Sequence, residues 1–311
     1  LAVDSTLSGV VLDLVGSLSL EADGSAGGLN GSGSLELNGQ TLQIQAASGQ
    51  THTYEGTLGE GTLDVSGAGT QVLRSSGADT GLTISGGNLV LQGKADVDGA
   101  RLSYGNLVNS GNLTIQASDN SLTAVNTTLS VENASFSSGS STTFTLNTDA
   151  DMTASFIEAS GDVVIEDGAS FHVTSIPDVN ITWKSGNPME LTLMELTGDG
   201  TIDLGENTLT VGGLFLTYYK NAHLVQEGDK VVLKAEEQTD NVYASVADTA
   251  NSMAGANLLW DAARHGSIDQ AVTDFLGALN NDMLNNPSAA RRSLAAAAGS
   301  TVNALGTAQR D

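Results

Sequence analysis

From about Gly56 to Val173 the sequence is a ladder of short runs in which aliphatic residues alternate with Thr, Asp, Ser or Gln. Examples are Thr62-Leu63-Asp64-Val65, Leu82-Thr83-Ile84, Leu89-Val90-Leu91, Leu113-Thr114-Ile115 and Leu129-Ser130-Val131. A period of two predicts half-buried β-strands, because successive side chains point to opposite faces of a pleated strand. Gly, Asn, Asp and Ser separate the runs, and these residues accept the backbone angles that tight corners demand. No helix-length apolar stripe interrupts the series.

Stacking along one axis fits this pattern better than a sandwich. The chain has three prolines, Pro177, Pro188 and Pro287, so Gly, Asn and Ser must make the corners. Gly-x-Gly recurs between aliphatic residues, as Gly31-Ser32-Gly33, Gly59-Glu60-Gly61 and Gly198-Asp199-Gly200. Repetition of one small unit is the mark of a quasi-one-dimensional fold. The expected fold is all-β, a right-handed parallel β-helix with a short α-helical C-terminal tail. Leu63, Val65, Leu82, Ile84, Leu89, Leu91, Leu113, Ile115, Leu129 and Val131 should point inward. Phe136, Phe144, Phe156 and Phe171 should stack along the axis.

Three segments are expected: a β-solenoid over 1–175, a denser β cap over 176–235 and a helical segment over 236–311. The cap should hold strands near 190–196, 208–211 and 214–219, and a hairpin over 223–234 with Glu227-Gly228-Asp229 at its tip. Beyond Glu237 the period turns helical. Val242, Val246, Ala250, Met253 and Leu258 predict one helix ending at His265-Gly266. Ser267 caps a second helix carrying Phe275, Leu276 and Leu279, and Asn286-Pro287 opens a third.

Composition excludes several functions. The chain carries 36 acidic against 11 basic residues, a net charge of −25, which argues against nucleic acid or an anionic membrane as partner. It has no cysteine, so neither disulfides nor thiolate chemistry enter. Leu1 begins in mid-strand and nothing reads as a signal peptide, so the sequence is expected to be a piece of a longer protein. The four histidines, His52, His172, His223 and His265, are far apart, and neither a Gly-x-Ser-x-Gly elbow nor a His-x-x-x-His pair occurs. Asp96-Val97-Asp98, Asp149-Ala150-Asp151 and Glu166-Asp167 read as solvated turns. Their alternative reading is calcium binding or the paired carboxylates of a polysaccharide-degrading enzyme. No catalytic, cofactor-binding or metal-binding residue is therefore assigned.

The Gly-x-Gly rungs, with Thr53-Tyr54-Glu55-Gly56 ahead of one of them, resemble the passenger repeats of bacterial type V autotransporters. The stretch from Trp183 to Ala235 is similar to the autochaperone region that ends such passengers. Leu294 to Asp311, with its run of alanines, is similar to the segment leading into the family's translocator barrel. The resemblance implies a surface-exposed stalk or adhesin outside the bacterial outer membrane. Its implied partners are the translocator β-barrel of the same chain, the outer-membrane assembly machinery, and surface glycans or proteins of a host or neighbouring cell. It also implies that the helix from Pro287 threads the barrel and packs loosely outside one. A carbohydrate-active β-helical enzyme and a self-associating adhesin are the rival readings.

Overall fold

The computed structural model describes residues 2–3, 7–93, 100–116, 127–146, 156–175, 189–211, 215–265 and 270–308. The chain is mostly β, with many parallel strands and three longer helices near its C-terminus. It divides into two compact units. One comprises Leu1–Val173, Glu190–Thr210 and Leu224–Leu233; the other comprises Thr174–Met189, Val211–His223 and Lys234–Asp311.

The strands of the first unit form three rows, which the chain visits in turn. One row contains a four-stranded sheet that ends at Thr57–Leu58. A six-stranded sheet follows, with Arg101–Ser103, Thr128–Val131, Ile157–Ala159 and Met189–Leu196. The other two rows belong to one sixteen-stranded sheet and join at Gly24–Gly31. The second row runs Thr41–Ile44, Gly61–Val65, Thr80–Ile84, Leu107–Asn109, Ala134–Phe136, Val163–Ile165 and Ile202–Leu204. The third runs Thr51–Tyr54, Thr70–Leu73, Asn88–Gln92, Asn112–Gln116, Ser141–Leu146, Ser170–Ser175 and Thr208–Val211.

Register is kept from rung to rung. In the second row Leu42, Leu63, Leu82, Leu107, Ala134, Val163 and Ile202 are successive parallel partners. In the third, Tyr54, Leu73, Leu91, Ile115 and Phe144 are aligned in the same way. A one-residue slip would turn every aliphatic side chain outward, so the buried face fixes this alignment. All the aliphatic residues expected to point inward, from Leu63 to Val131, are buried. So are the four phenylalanines, whose rings meet in sequence: Phe136 with Phe171 at 5.6 Å, Phe171 with Phe144 at 6.5 Å, and Phe144 with Phe156 at 5.4 Å.

Corners are held by close backbone approach and by side-chain oxygens. A Cβ on Gly33 would lie 2.1 Å from the Gly16 carbonyl oxygen, and one on Gly56 would lie 1.9 Å from that of Gly33. Only glycine fits where the chain stacks this tightly. The N–H groups of Thr41 and Thr53 donate to Asp23 Oδ1 at 2.7 Å and to Asn30 Oδ1 at 2.8 Å. Asp162 and Thr201 donate from their N–H groups to Asn133 Oδ1 and Asp162 Oδ1, both at 2.8 Å. Glu206 N–H donates to Asp167 Oδ1 at 2.7 Å. In each case a side chain of one rung receives the backbone of the next.

The ladder runs past 175, since Met189–Leu196, Ile202–Leu204 and Thr208–Val211 continue the three rows. The hairpin is present as Tyr219–Glu227 and Lys230–Glu237, joined through Gly228 at φ 59°. The strand expected over 214–219 differs: Phe215–Tyr218 forms a helical turn, α1. Trp183 and its flanking prolines lie outside the described residues.

In the second unit the single helix expected from Val242 is broken. Val242–Val246 is a 3-10 turn capped by the Asn241 side chain, and Ala247 is extended. Helix α2, Ala250–His265, then starts with Thr249 and Ser252 capping each other's N–H groups. The break rotates the face, so Met253 and Leu258 are exposed at 38% and 57% instead of buried. Ser267 and Ile268 fall outside the described residues, and α3 spans Gln270–Asn285. Helix α4, Pro287–Ala308, begins as expected with Asn286 accepting from Ala289 N–H at 3.2 Å. It does not pack loosely over its first half: Ala290, Leu294 and Ala298 are buried. A Cβ on Gly255 of α2 would come within 2.9 Å of the Ala298 methyl, so the two helices touch along small residues.

Candidate functional site

The outward surfaces of the three rows differ in chemistry. On the first row Ser103, Ser130, Glu158 and Glu195 are aligned rung to rung. Arg101 reaches across to Glu158, with Nη2 3.1 Å from Oε1, and this carboxylate holds its guanidinium pKa above the usual value. Lys230 Nζ lies 2.9 Å from Glu195 Oε1. Each of two adjacent carboxylates thus has its own cation. Such exposed pairs are worth about 0–1 kcal/mol and act here chiefly against like-charge repulsion.

The third row presents a different surface. Its outward positions Thr53, Val72, Val90, Thr114 and Thr143 are aligned rung to rung. Beside them run Thr51, Thr70, Asn88, Asn112 and Ser141. Asn112 donates from Nδ2 to Asn88 Oδ1 at 2.9 Å. Later in the row His172 touches the Thr210 hydroxyl, and burial lowers the imidazole pKa, which favours its neutral form. At the row's start Glu55 and Arg74 pair with each other at 3.2 Å.

Of the three acidic turns, Glu166-Asp167 lies among the described residues, and its carboxylates are engaged by backbone. Glu166 Oε2 accepts from Ser138 N–H at 2.9 Å, and Asp167 is committed to Glu206 N–H. Asp96, Asp98, Asp149 and Asp151 lie outside the described residues. Among the described residues no group of three or more His, Cys, Asp or Glu side chains could hold a metal ion. The histidines do not converge. His52 is buried over Gly28, where a Cβ would fall 2.2 Å from its ring, and His223 Nδ1 meets the Asn221 carbonyl at 2.8 Å.

The second unit contains a polar core that sequence reasoning missed. Thr217 Oγ1 and the Tyr243 hydroxyl are 2.7 Å apart, and Asn280 Nδ2 donates to Thr217 Oγ1 at 2.9 Å. All three residues are buried. Nearby Tyr218 donates its hydroxyl to the Ala263 carbonyl at 3.1 Å. Arg264 stacks 4.6 Å from the Trp260 ring and pairs with Glu237 at 2.8 Å. These contacts join α1, the 3-10 turn, α2 and α3. Separations of tens of residues, with no shared spacing rule, left no signal in the sequence.

Burial gives the tyrosines a common property. It pushes Tyr54 in the first unit and Tyr218 in the second up to about 12, from an ordinary 10.0. The unfolded chain therefore ionises first as pH rises. Stability from these residues is intact below pH 10.0 and is lost between 10.0 and about 12. Thermal melts should hold steady to pH 10 and fall above it, with phenolate absorbance rising only as the fold is lost. Full phenolate absorbance near pH 10 in protein that keeps its far-UV signal would contradict this.

No protein-family model matches the chain, and neither a curated protein nor a solved structure matches it.

Proposed function

We propose that this chain is the C-terminal part of an autotransporter passenger. In this reading it is a right-handed parallel β-helix that stands outside the outer membrane as a stalk or adhesin and presents sequence lying upstream. The observation that carries it is the unbroken register from Leu42 to Ile202, followed by a hairpin and then by helices. A rigid ladder built from nearest-neighbour contacts suits a spacer. The hairpin against Met189–Leu196 supplies an end from which rungs can propagate during export, and α4 leads towards the barrel. The Glu166-Asp167 turn, whose carboxylates support backbone N–H groups, favours a structural role over glycan cleavage.

The test places a secretion signal before the chain and an autotransporter barrel after it in a Gram-negative host. Intact cells should display the chain, and external protease should leave the strands of the three rows uncut. Retention in the periplasm, while a known passenger on the same barrel is displayed, would overturn the reading.

A further inference from the structure

We infer that Asn38-Gly39 is a latent self-modification site, held closed by the folded ladder. Once its rung opens, Asn38 converts to aspartate or isoaspartate, and the product keeps the rung from closing again. The chain has two Asn-Gly pairs, Asn30-Gly31 and Asn38-Gly39. Asparagine is among the thermolabile residues, and a following glycine has no side chain to hinder attack by its own amide nitrogen. In the reaction the Gly39 nitrogen bonds to Asn38 Cγ and the Cγ–Nδ2 bond breaks. Nδ2 leaves as ammonia with the proton of the Gly39 amide. Water then opens the five-membered imide at either carbonyl, giving aspartate or a backbone lengthened by one methylene. Nothing is oxidised or reduced, and water is the one co-reactant.

The fold engages both reacting groups. Leu37 to Gln40 form a turn between the first and second rows, closed by Gln40 N–H on the Leu37 carbonyl at 2.9 Å. Asn38 and Gly39 at its centre have φ of 53° and 77°, a pair of positive angles that Asn-Gly adopts readily. Both amide protons of Asn38 have acceptors on the earlier rung: Nδ2 donates to Ser19 Oγ at 2.8 Å and to the Leu20 carbonyl at 2.9 Å. The nucleophile is held from the other side, since Gly39 N–H donates to the Glu60 carbonyl of the later rung at 2.8 Å. Both residues are exposed, so these contacts, not burial, are the protection. Reaction requires a local opening that frees them together. Conversion leaves a carboxylate, which accepts hydrogen bonds and donates none. Facing the Leu20 carbonyl, it opposes acceptor to acceptor. Asn30 differs, because its Oδ1 accepts from Thr53 N–H at 2.8 Å. Asp23, Asp162 and Asp167 accept backbone N–H groups in the same way at other corners, so aspartate at position 30 keeps the contact.

The experiment incubates the intact chain at mildly alkaline pH, native and unfolded in urea, and maps aspartate and isoaspartate at position 38 by peptide mass spectrometry. Native protein should convert Asn38 at least about tenfold more slowly than unfolded protein, because only the open fraction reacts. Two substitutions then separate the corners. Asn38→Asp should lower the urea midpoint and speed amide exchange at Gly39, whereas Asn30→Asp should leave both as in wild type. An Asn38→Asp chain too unstable to fold, beside an Asn30→Asp chain that folds normally, is the extreme of the expected result. The wild-type comparison needs no variant. Three results overturn the inference: Asn38 that stays intact in urea, native conversion within that tenfold of the unfolded rate, or an Asn38→Asp chain as stable as wild type.

Discussion

Phe144→Ala should destabilise the ladder by about 3–5 kcal/mol, read as a lower urea midpoint. Phe144 is fully buried and stands between Phe156 and Phe171, with ring centroids 5.4 Å and 6.5 Å away. Its Cα is aligned with Ile115 of the previous rung. Removing the ring deletes its transfer free energy and leaves a cavity. That cavity cannot close, because the strands on either side are fixed by their own hydrogen bonds. Aromatic pairing adds about 0.5–1.5 kcal/mol beyond area, so the loss belongs at the upper end of the range. Amide exchange should accelerate most at Phe136, Phe156 and Phe171, since contacts in a ladder reach only neighbouring rungs. A loss below about 1 kcal/mol would show that these rings do not support one another.

The ladder was legible because its physics is local. Alternation fixes which side chains are inward, so the burial of Leu63, Ile84, Leu91 and Ile115 could be read directly from period. The Asn286-Pro287 start of α4 was legible for the same reason, as a cap is a property of adjacent residues. Two other features were not. Val242 to Leu258 has helical spacing throughout, yet capping by Asn241 and Thr249 divides it. A local hydrogen bond there overrides a longer pattern. The Thr217–Tyr243–Asn280 cluster joins residues whose proximity depends on how the helices pack, and single-residue chemistry does not specify that. Nor did alternation predict that the described strands of the third row, from Thr51–Tyr54 to Thr208–Val211, contain no Asp, Glu, Lys or Arg. Charge on a face becomes visible only once the register shows which residues share it.

Gly56→Ala should be the most damaging change of a single methyl group. The added Cβ would stand 1.9 Å from the Gly33 carbonyl oxygen and 2.6 Å from the Tyr54 hydroxyl. Neither neighbour can give way. Gly33 O already accepts from Thr57 N–H at 3.1 Å and lies 2.8 Å from the buried Tyr54 hydroxyl. Overpacking costs typically about 1–3 kcal/mol, and a clash with backbone at a hydrogen-bonded corner should exceed that. Gly277→Ala is the matched comparison. Its Cβ meets nothing within 4 Å, and it lies inside α3, so the same methyl should stabilise by about 0.5–1 kcal/mol. Thermal melts of the two variants should therefore move in opposite directions. A shift of the same sign in both would refute the steric account of the corner.

The corner oxygens of Asp23, Asn30, Asn133, Asp162 and Asp167 all face the later rung and receive its N–H groups. Glu166, which reaches back to Ser138, runs the other way. The stack consequently has a sense, like a staircase whose treads overlap in one direction. At these five corners the side facing the C-terminus offers a side-chain acceptor, and the side facing the N-terminus offers a backbone donor. At such a corner, two like sides brought together would oppose acceptor to acceptor or donor to donor. Any lengthening of such a ladder, by gene duplication or by grafting rungs from elsewhere, must keep that sense at every joint.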